Sequence, residues 1–289
     1  MHHHRSLLAL LALSTACTGK TDPDPDIEVH PGDLPIILSA PHGGHLTPSE
    51  IPNRTTGNND GDAHTRALTL DLADALEALT GQRPIVVINN LHRKKLDANR
   101  EIVEAAEGVP RAEAAWEAYH SAIEDARKEL TVRHEAGLFL DVHGHAHDDP
   151  WIELGYLLDG SDLNRSDAEL DGAAYANATS ITELIGRSGE PLSALVRGEI
   201  SLGAELEARG YASVPSTDTP IPGLAEYYNG GHNTRAYGSL ETGTVSAVQL
   251  EYPRSDREPA GVRAQTAADT AEAIVVWMRA VYGVASIPE

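Results

Sequence analysis

Two histidines stand where short apolar runs give way to turns: His42, in Pro41-His42-Gly43-Gly44, and His143, at the end of Leu140-Asp141-Val142-His143. Either imidazole can offer a lone pair to a cation. The segment Asp60-Gly61-Asp62-Ala63-His64-Thr65 adds two acids just ahead of a helical pattern. Two imidazoles and one carboxylate, with water in the fourth place, make a catalytic zinc site. Asp141, or a nearby carbonyl, would then be the acceptor that fixes a histidine tautomer. Taken singly, each residue has a plainer reading. A histidine after a strand is commonly a hydrogen-bonded loop residue, and an acid at a helix start is commonly a cap or a dipole partner. His145, His147, Asp148 and Asp149 likewise read as a solvated acidic loop. Their joint occurrence with two further features is what points to chemistry.

The first is Glu251, which closes the otherwise apolar run Ala247-Val248-Gln249-Leu250. Ionising a carboxyl there is costly unless a metal or a cation pairs with it. That environment suits a general base beside an activated water; a buried ion pair with Arg254 or Arg100 is the other reading. The second is the basic stretch His92-Arg93-Lys94-Lys95-Leu96-Asp97-Ala98-Asn99-Arg100. Arg93, Lys94 and Lys95 read as surface charge. Arg100 with Asn99 pairs a guanidinium and an amide, a combination that grips a carboxylate or a carbonyl in fixed geometry.

These residues need a frame. Leu34–Ala40, 84–89 and 137–142 read as buried strands, and Val245–Glu251 as another. Thr65–Leu79 carries a leucine stripe ended by Gly81, and 110–134 is a long helix with Trp116, Tyr119 and Ile123 on one face. Ser193–Arg209 reads as one helix stopped by Gly210, and 260–281 as a closing helix. Residues 144–187 are acidic and irregular, with room for one helix. Alternating strands and helices favour an α/β sandwich around a parallel or mixed sheet, where ligands sit beyond the carboxyl ends of strands.

Composition narrows the function. The 289 residues hold 22 Lys+Arg against 44 Asp+Glu, a formal charge of -22, which argues against nucleic acid as partner. One cysteine excludes a disulfide framework and any multi-cysteine metal site. That residue, Cys17, follows a basic start, the run Leu7–Leu13 and the small residues Ser14-Thr15-Ala16. The run is too short to span a bilayer; the segment resembles a bacterial lipoprotein signal, in which residues 1–16 are removed and Cys17 is lipidated. Residues 17–33, rich in Asp and Pro, read as an extended tether, and 34–289 as a single folded domain. The expected location is the periplasmic or outer face of a membrane, held only through the lipid.

The blocks SAPHGG (39–44), DGDAHT (60–65), LDANR (96–100), FLDVHGH (139–145), GGHNTRAYG (230–238) and AVQLE (247–251) together resemble the N-formylglutamate amidohydrolase family, in its order. The resemblance implies a carboxypeptidase-like, three-layer α/β/α sandwich with a central mixed sheet, and one Zn2+. It implies His42, Asp62 and His143 as metal ligands, Asp62 being preferred to Asp60. It implies Glu251 as the acid that activates water and protonates the leaving amine, and Arg100, with Asn99 beside it, as the clamp on a substrate carboxylate. His232, Thr234, Arg235 and Tyr237 match a loop that closes over substrate. Two positions depart from the family: Ala63 stands where an aromatic is usual and Gly144 where serine is common. With the export signal, they shift the expected substrate from formylglutamate toward other N-acyl amino acids or small peptides. The rival readings are a zinc carboxypeptidase or N-acyl-amino-acid deacylase on the same fold, and a non-catalytic lipoprotein that captures substrate.

Overall fold

The computed structural model describes residues 26–240, 243–283 and 287; Cys17 and the signal segment lie outside the described residues. The apolar runs form strands, as their composition requires, and every residue of β2 (Ile36–Ala40) and β3 (Ile85–Asn89) is buried. With β1 (Ile27–His30), β4 (Gly137–Gly144), β5 (Ile152–Gly155), β6 (Ser213–Val214) and β7 (Val245–Tyr252) they make a seven-stranded sheet of order β1-β3-β2-β4-β7-β5-β6. Strands β3, β2, β4 and β7 run parallel; β1 pairs antiparallel with β3 and β5 antiparallel with β7.

Helices cover both faces. They are α1 (Thr65–Thr80), α2 (Ile102–Ala106), α3 (Pro110–Arg133), α4 (Gly160–Leu163), α5 (Asp167–Leu170), α6 (Ala173–Ala176), α7 (Thr182–Ser188), α8 (Leu192–Arg197), α9 (Leu202–Glu207), α10 (His232–Tyr237), α11 (Arg254–Arg257) and α12 (Ala260–Val281). Strand side chains alternate between faces, and the core divides accordingly. Leu138, Leu140 and Val142 join the α1 and α12 side, around Leu72 and Trp277. Phe139 joins the α3 side with Tyr119 and Ile123. The expected three-layer α/β/α sandwich with a mixed sheet is therefore the architecture found.

Three expectations need correction. Residues 27–30 are not tether but an edge strand, because Ile27 is buried and the backbone pairs with β3. Ser193–Arg209 is two helices, α8 and α9. The break at Gly198 is followed by Ser201, whose hydroxyl caps the second helix at Ala204 N. The 144–187 region holds one strand and four short helices, with capping boxes at Asp159 and Ser166. Among the described residues, no helix is long and apolar enough to cross a membrane.

Topology selects the working edge. The chain steps from β2 outward to β3 and then returns across β2 to β4, so the order of connection reverses between the parallel strands β2 and β4. Beyond the carboxyl ends of those two strands lie His42 and His143.

Candidate metal centre

His42 is delivered by the turn after β2. The glycines that follow it are demanded by close approach: a Cβ at Gly43 would lie 2.3 Å from Arg66 N, and one at Gly44 2.3 Å from the Asn90 carbonyl carbon. This tight turn brings the start of α1 alongside. Asp62 N donates to His42 O at 3.1 Å, and Asp62 O accepts from Thr65 Oγ1 at 2.8 Å. His143 sits on β4, and the two-residue period places Asp141 on the same face. In the ladder between β4 and β7, His143 stands opposite Glu251.

The side chains then converge. His42 Nδ1 lies 3.3 Å and His143 Nδ1 3.1 Å from the same atom, Asp62 Oδ2. Each ring's other nitrogen faces a different carboxylate: His42 Nε2 lies 2.7 Å from Asp97 Oδ1, and His143 Nε2 2.8 Å from Asp141 Oδ2. An ionised carboxylate only accepts, so each Nε2 carries the proton. A neutral imidazole then turns a bare lone pair at Nδ1 toward Asp62 Oδ2, which is also an acceptor. Two such acceptor-to-acceptor contacts, nearly dry, are repulsive unless positive charge lies among them. One divalent cation satisfies all three atoms, and the carboxylate behind each imidazole is the partner a metal-bound histidine ordinarily has. Asp60, by contrast, is exposed, and Asp62 is the acid that faces both imidazoles.

Protons compete for the same position. Burial opposes charge on His143, yet Asp141, Glu251 and Asp62 raise its pKa well above the ordinary histidine value. Burial likewise opposes ionisation of Asp62, but the two imidazoles hold its carboxyl well below the usual range. Without metal, therefore, these three carboxylates favour a proton on His143, and a cation competes with it for the same position. Zinc affinity is expected to rise with pH, with net release of protons on binding. Calorimetric titrations in buffers of different ionisation enthalpy measure this; zero net release would contradict it.

Behind His42, Asp97 is fixed by Arg93 Nε at 2.9 Å and by Asn99 N at 3.1 Å. This corrects the reading of Arg93 and Lys95 as surface charge. Both are buried, Arg93 on Asp97 and Lys95 with its Nζ donating to Ile51 O. Only Lys94 is partly exposed. Asp97→Asn removes the charge that holds the His42 Nε2 proton. It is expected to weaken zinc about 10–100-fold, as loss of such partners generally does. Chelator competition gives the value, and unchanged affinity would show the contact to be idle.

Glu251 is 5% exposed, accepts from Gln249 Nε2 at 3.1 Å, and places Oε1 3.8 Å from His143 Nδ1. Its reading as the buried partner of Arg254 or Arg100 fails, because those guanidinia pair with Glu258 and Glu104. Glu251 is pushed up to about 8, by burial first and then by Asp62 and Glu153, against the downward pull of His143. Glu153 stands opposite it on β5. The supposed acidic loop at His145 and His147 is built around that carboxylate. His147 Nδ1 meets Glu153 Oε1 at 2.7 Å, while His145 Nε2 faces Trp151 O at 2.9 Å and its Nδ1 accepts from His147 N at 3.1 Å. Of the four residues read as solvated, Asp148 is exposed as expected and Asp149 is half-buried. His145 has spent its lone pair on the backbone, which removes it as a ligand from this His/His/Glu group, while His147 still borders the cavity.

His42, Asp62, His143 and Glu251 border a cavity of about 470 Å³, whose wall also includes Asn99, Arg100, His147 and Tyr228. Arg100 is half-exposed, donates to Asn99 O at 2.9 Å, and is steadied by Glu104. The GGHNTRAYG block does not present its expected contacts. Thr234 and Tyr237 are buried, the Tyr237 hydroxyl bonding to His120 Nδ1 and its ring packing on Phe139; Arg235 is exposed. His232 lies against Trp116 and His120, with Nδ1 3.4 Å from Glu101. The turns of α10 bury Thr234 and Tyr237 against the sheet. What the block lends the cavity is the backbone of Gly230 and Gly231, and the amide of Asn233, which holds Asn99 Oδ1 at 2.8 Å.

No family model and no curated protein matches the chain. Among solved structures, N-formylglutamate amidohydrolase from Ralstonia eutropha JMP134 is similar over 90% of this chain and 98% of its own length, at 15% identity and a TM-score of 0.55. A gene product of Agrobacterium tumefaciens is similar over 86% of this chain and 93% of its own, at 11% identity and a TM-score of 0.52. At these identities the likeness establishes a common fold.

Proposed function

We propose that this chain is a zinc-dependent amidohydrolase that cleaves the amide bond of a small N-acyl amino acid or peptide bearing a free carboxylate. The observation that carries the reading is the convergence of two imidazole Nδ1 atoms and one carboxylate oxygen beside a buried glutamate, in a cavity with an arginine in its wall. Two nitrogen ligands and one oxygen ligand suit zinc better than magnesium or calcium, which favour all-oxygen sets. The position where the order of connection reverses and the N-formylglutamate amidohydrolase fold favour the same chemistry.

When bound by His42, Asp62 and His143, the ion supplies Lewis acidity, lowering the pKa of a water and polarising the scissile carbonyl. The chain supplies the remaining parts. Asp97 and Asp141 hold the two imidazoles in the tautomer that leaves Nδ1 free. Glu251, with its basicity raised by burial, takes a proton from the attacking water and passes it to the departing nitrogen. Arg100 grips the substrate carboxylate in a planar, two-point contact, and Asn99 offers its amide beside it. Lipidation at Cys17 would hold this activity outside the cytoplasm, where it would meet N-acyl amino acids and short peptides.

The test is a panel of N-acyl amino acids and short peptides, with the released amine quantified before and after chelation and after zinc is restored. Zinc-dependent release of a carboxylate-bearing amine is the expected result. Preference for free C-terminal peptide bonds would favour the carboxypeptidase reading. Binding of substrates without turnover at any zinc level would favour substrate capture and overturn the proposal.

A further inference from the structure

Arg257, on α11, is 4% exposed. Burying a guanidinium is costly unless its N–H groups find acceptors, and here each nitrogen finds a backbone carbonyl. Nε donates to Tyr252 O at 3.0 Å, NH2 to His145 O at 2.8 Å, and NH1 to Ala63 O. The first contact is local, but the other two reach across 112 and 194 residues of chain. The three acceptors are not an arbitrary set. Ala63 follows Asp62, Tyr252 follows Glu251, and His145 lies two residues beyond His143. One planar side chain is thus fastened to each of three segments, which carry two of the cation ligands and the base.

The space for it is equally specific. A Cβ on Gly144 would lie 2.3 Å from Arg257 Cζ, 2.4 Å from Nε and 2.8 Å from NH1. Gly144 is not among the glycines with positive φ, so the backbone there would accept other residues. The absent side chain is what the position requires. The glycine at 144 and the arginine at 257 are therefore a matched pair.

We propose that Arg257 is a positioning residue that sets the mutual placement of Asp62, His143 and Glu251 by fastening their three segments at once, and that Gly144 exists to admit it. The inference rests on the metal reading above. It predicts that loosening the guanidinium changes how tightly and in what geometry the cation is held, beyond any effect on fold stability.

The experiment uses the purified protein and the variants Arg257→Ala, Arg257→Lys, Gly144→Ala and Gly144→Ala/Arg257→Ala. Zinc affinity is measured by chelator competition, site geometry by the visible spectrum of the Co2+-loaded protein, and folding by melting of the metal-free chain. Arg257→Ala is expected to weaken zinc about 10–100-fold and to alter the cobalt spectrum. Arg257→Lys should be nearly as weak, because an ammonium cannot span three carbonyls. Gly144→Ala should be impaired alone, yet the double variant should be no worse than Arg257→Ala, the non-additivity of a shared contact. Guanidinium ion should partly restore Arg257→Ala. Should Arg257→Ala fail to fold without metal, Arg257→Lys and Gly144→Ala decide the matter. Folded variants with wild-type affinity and spectrum, even if they melt earlier, would overturn the inference, as would additive losses in the double variant. A wild-type chain that binds no zinc overturns the amidohydrolase reading and this inference together; wild-type binding matched by the variants overturns this inference alone.

Discussion

Glu251→Gln is expected to retain one equivalent of zinc and to lose about 10²–10⁴-fold in turnover, the range a positioned acid–base group contributes. Glutamine keeps the volume of the side chain and an acceptor oxygen for Gln249 Nε2, which bonds Glu251 Oε1 at 3.1 Å. The sheet ladder that sets Glu251 opposite His143 depends on backbone and is unaffected. What disappears is the capacity to take a proton from water and return it to a leaving nitrogen. The group replaced is buried and anionic only at a cost, so neutral glutamine should not destabilise the fold. Metal content and kcat on the best N-acyl substrate, measured together, separate this outcome from loss of the ion. Near-wild-type turnover would remove Glu251 from the reaction.

His143→Ala should lose the metal and the activity together. It deletes one Nδ1 ligand, and it leaves Asp141, which is fully buried, without the imidazole that neutralises it. Breaking a buried charged pair costs about 3–5 kcal/mol, so the melting temperature of the metal-free chain should also fall. Zinc affinity should drop by more than about 100-fold, since even the partners behind a ligand are worth 10–100-fold. Asp60→Asn is the matched control: Asp60 is exposed two residues from a ligand, and its replacement should change neither quantity. Retention of stoichiometric zinc by His143→Ala would place the ion elsewhere.

Some of this site was legible along the chain because its geometry is local. Period two puts Asp141 and His143 on one face of β4, and an apolar run that ends in Glu251 announces a buried carboxylate. The residues that went unread owe their roles to contacts distant in sequence. Asp97 lies in a stretch that looks like solvated charge, yet it meets His42 55 residues away. The three carbonyls around Arg257 come together only in the folded sheet. Pattern misled where helix and loop alternatives share a composition: Thr234 and Tyr237 read as substrate contacts, but the short α10 turns them into the core. Strands β1, β5 and β6 have two to four residues each, too few for alternation to register. The departure at Gly144, which the resemblance alone left without a physical reason, has one once Arg257 is seen to fill its space.

Anomalous diffraction at the zinc edge from crystals of the zinc-loaded protein tests the centre most directly. A single strong peak about 2.0–2.1 Å from the Nδ1 atoms of both His42 and His143, within bonding distance of Asp62, is the expected result. No peak at that point, or a zinc ion held through Nε2 with Asp97 and Asp141 displaced, would contradict it.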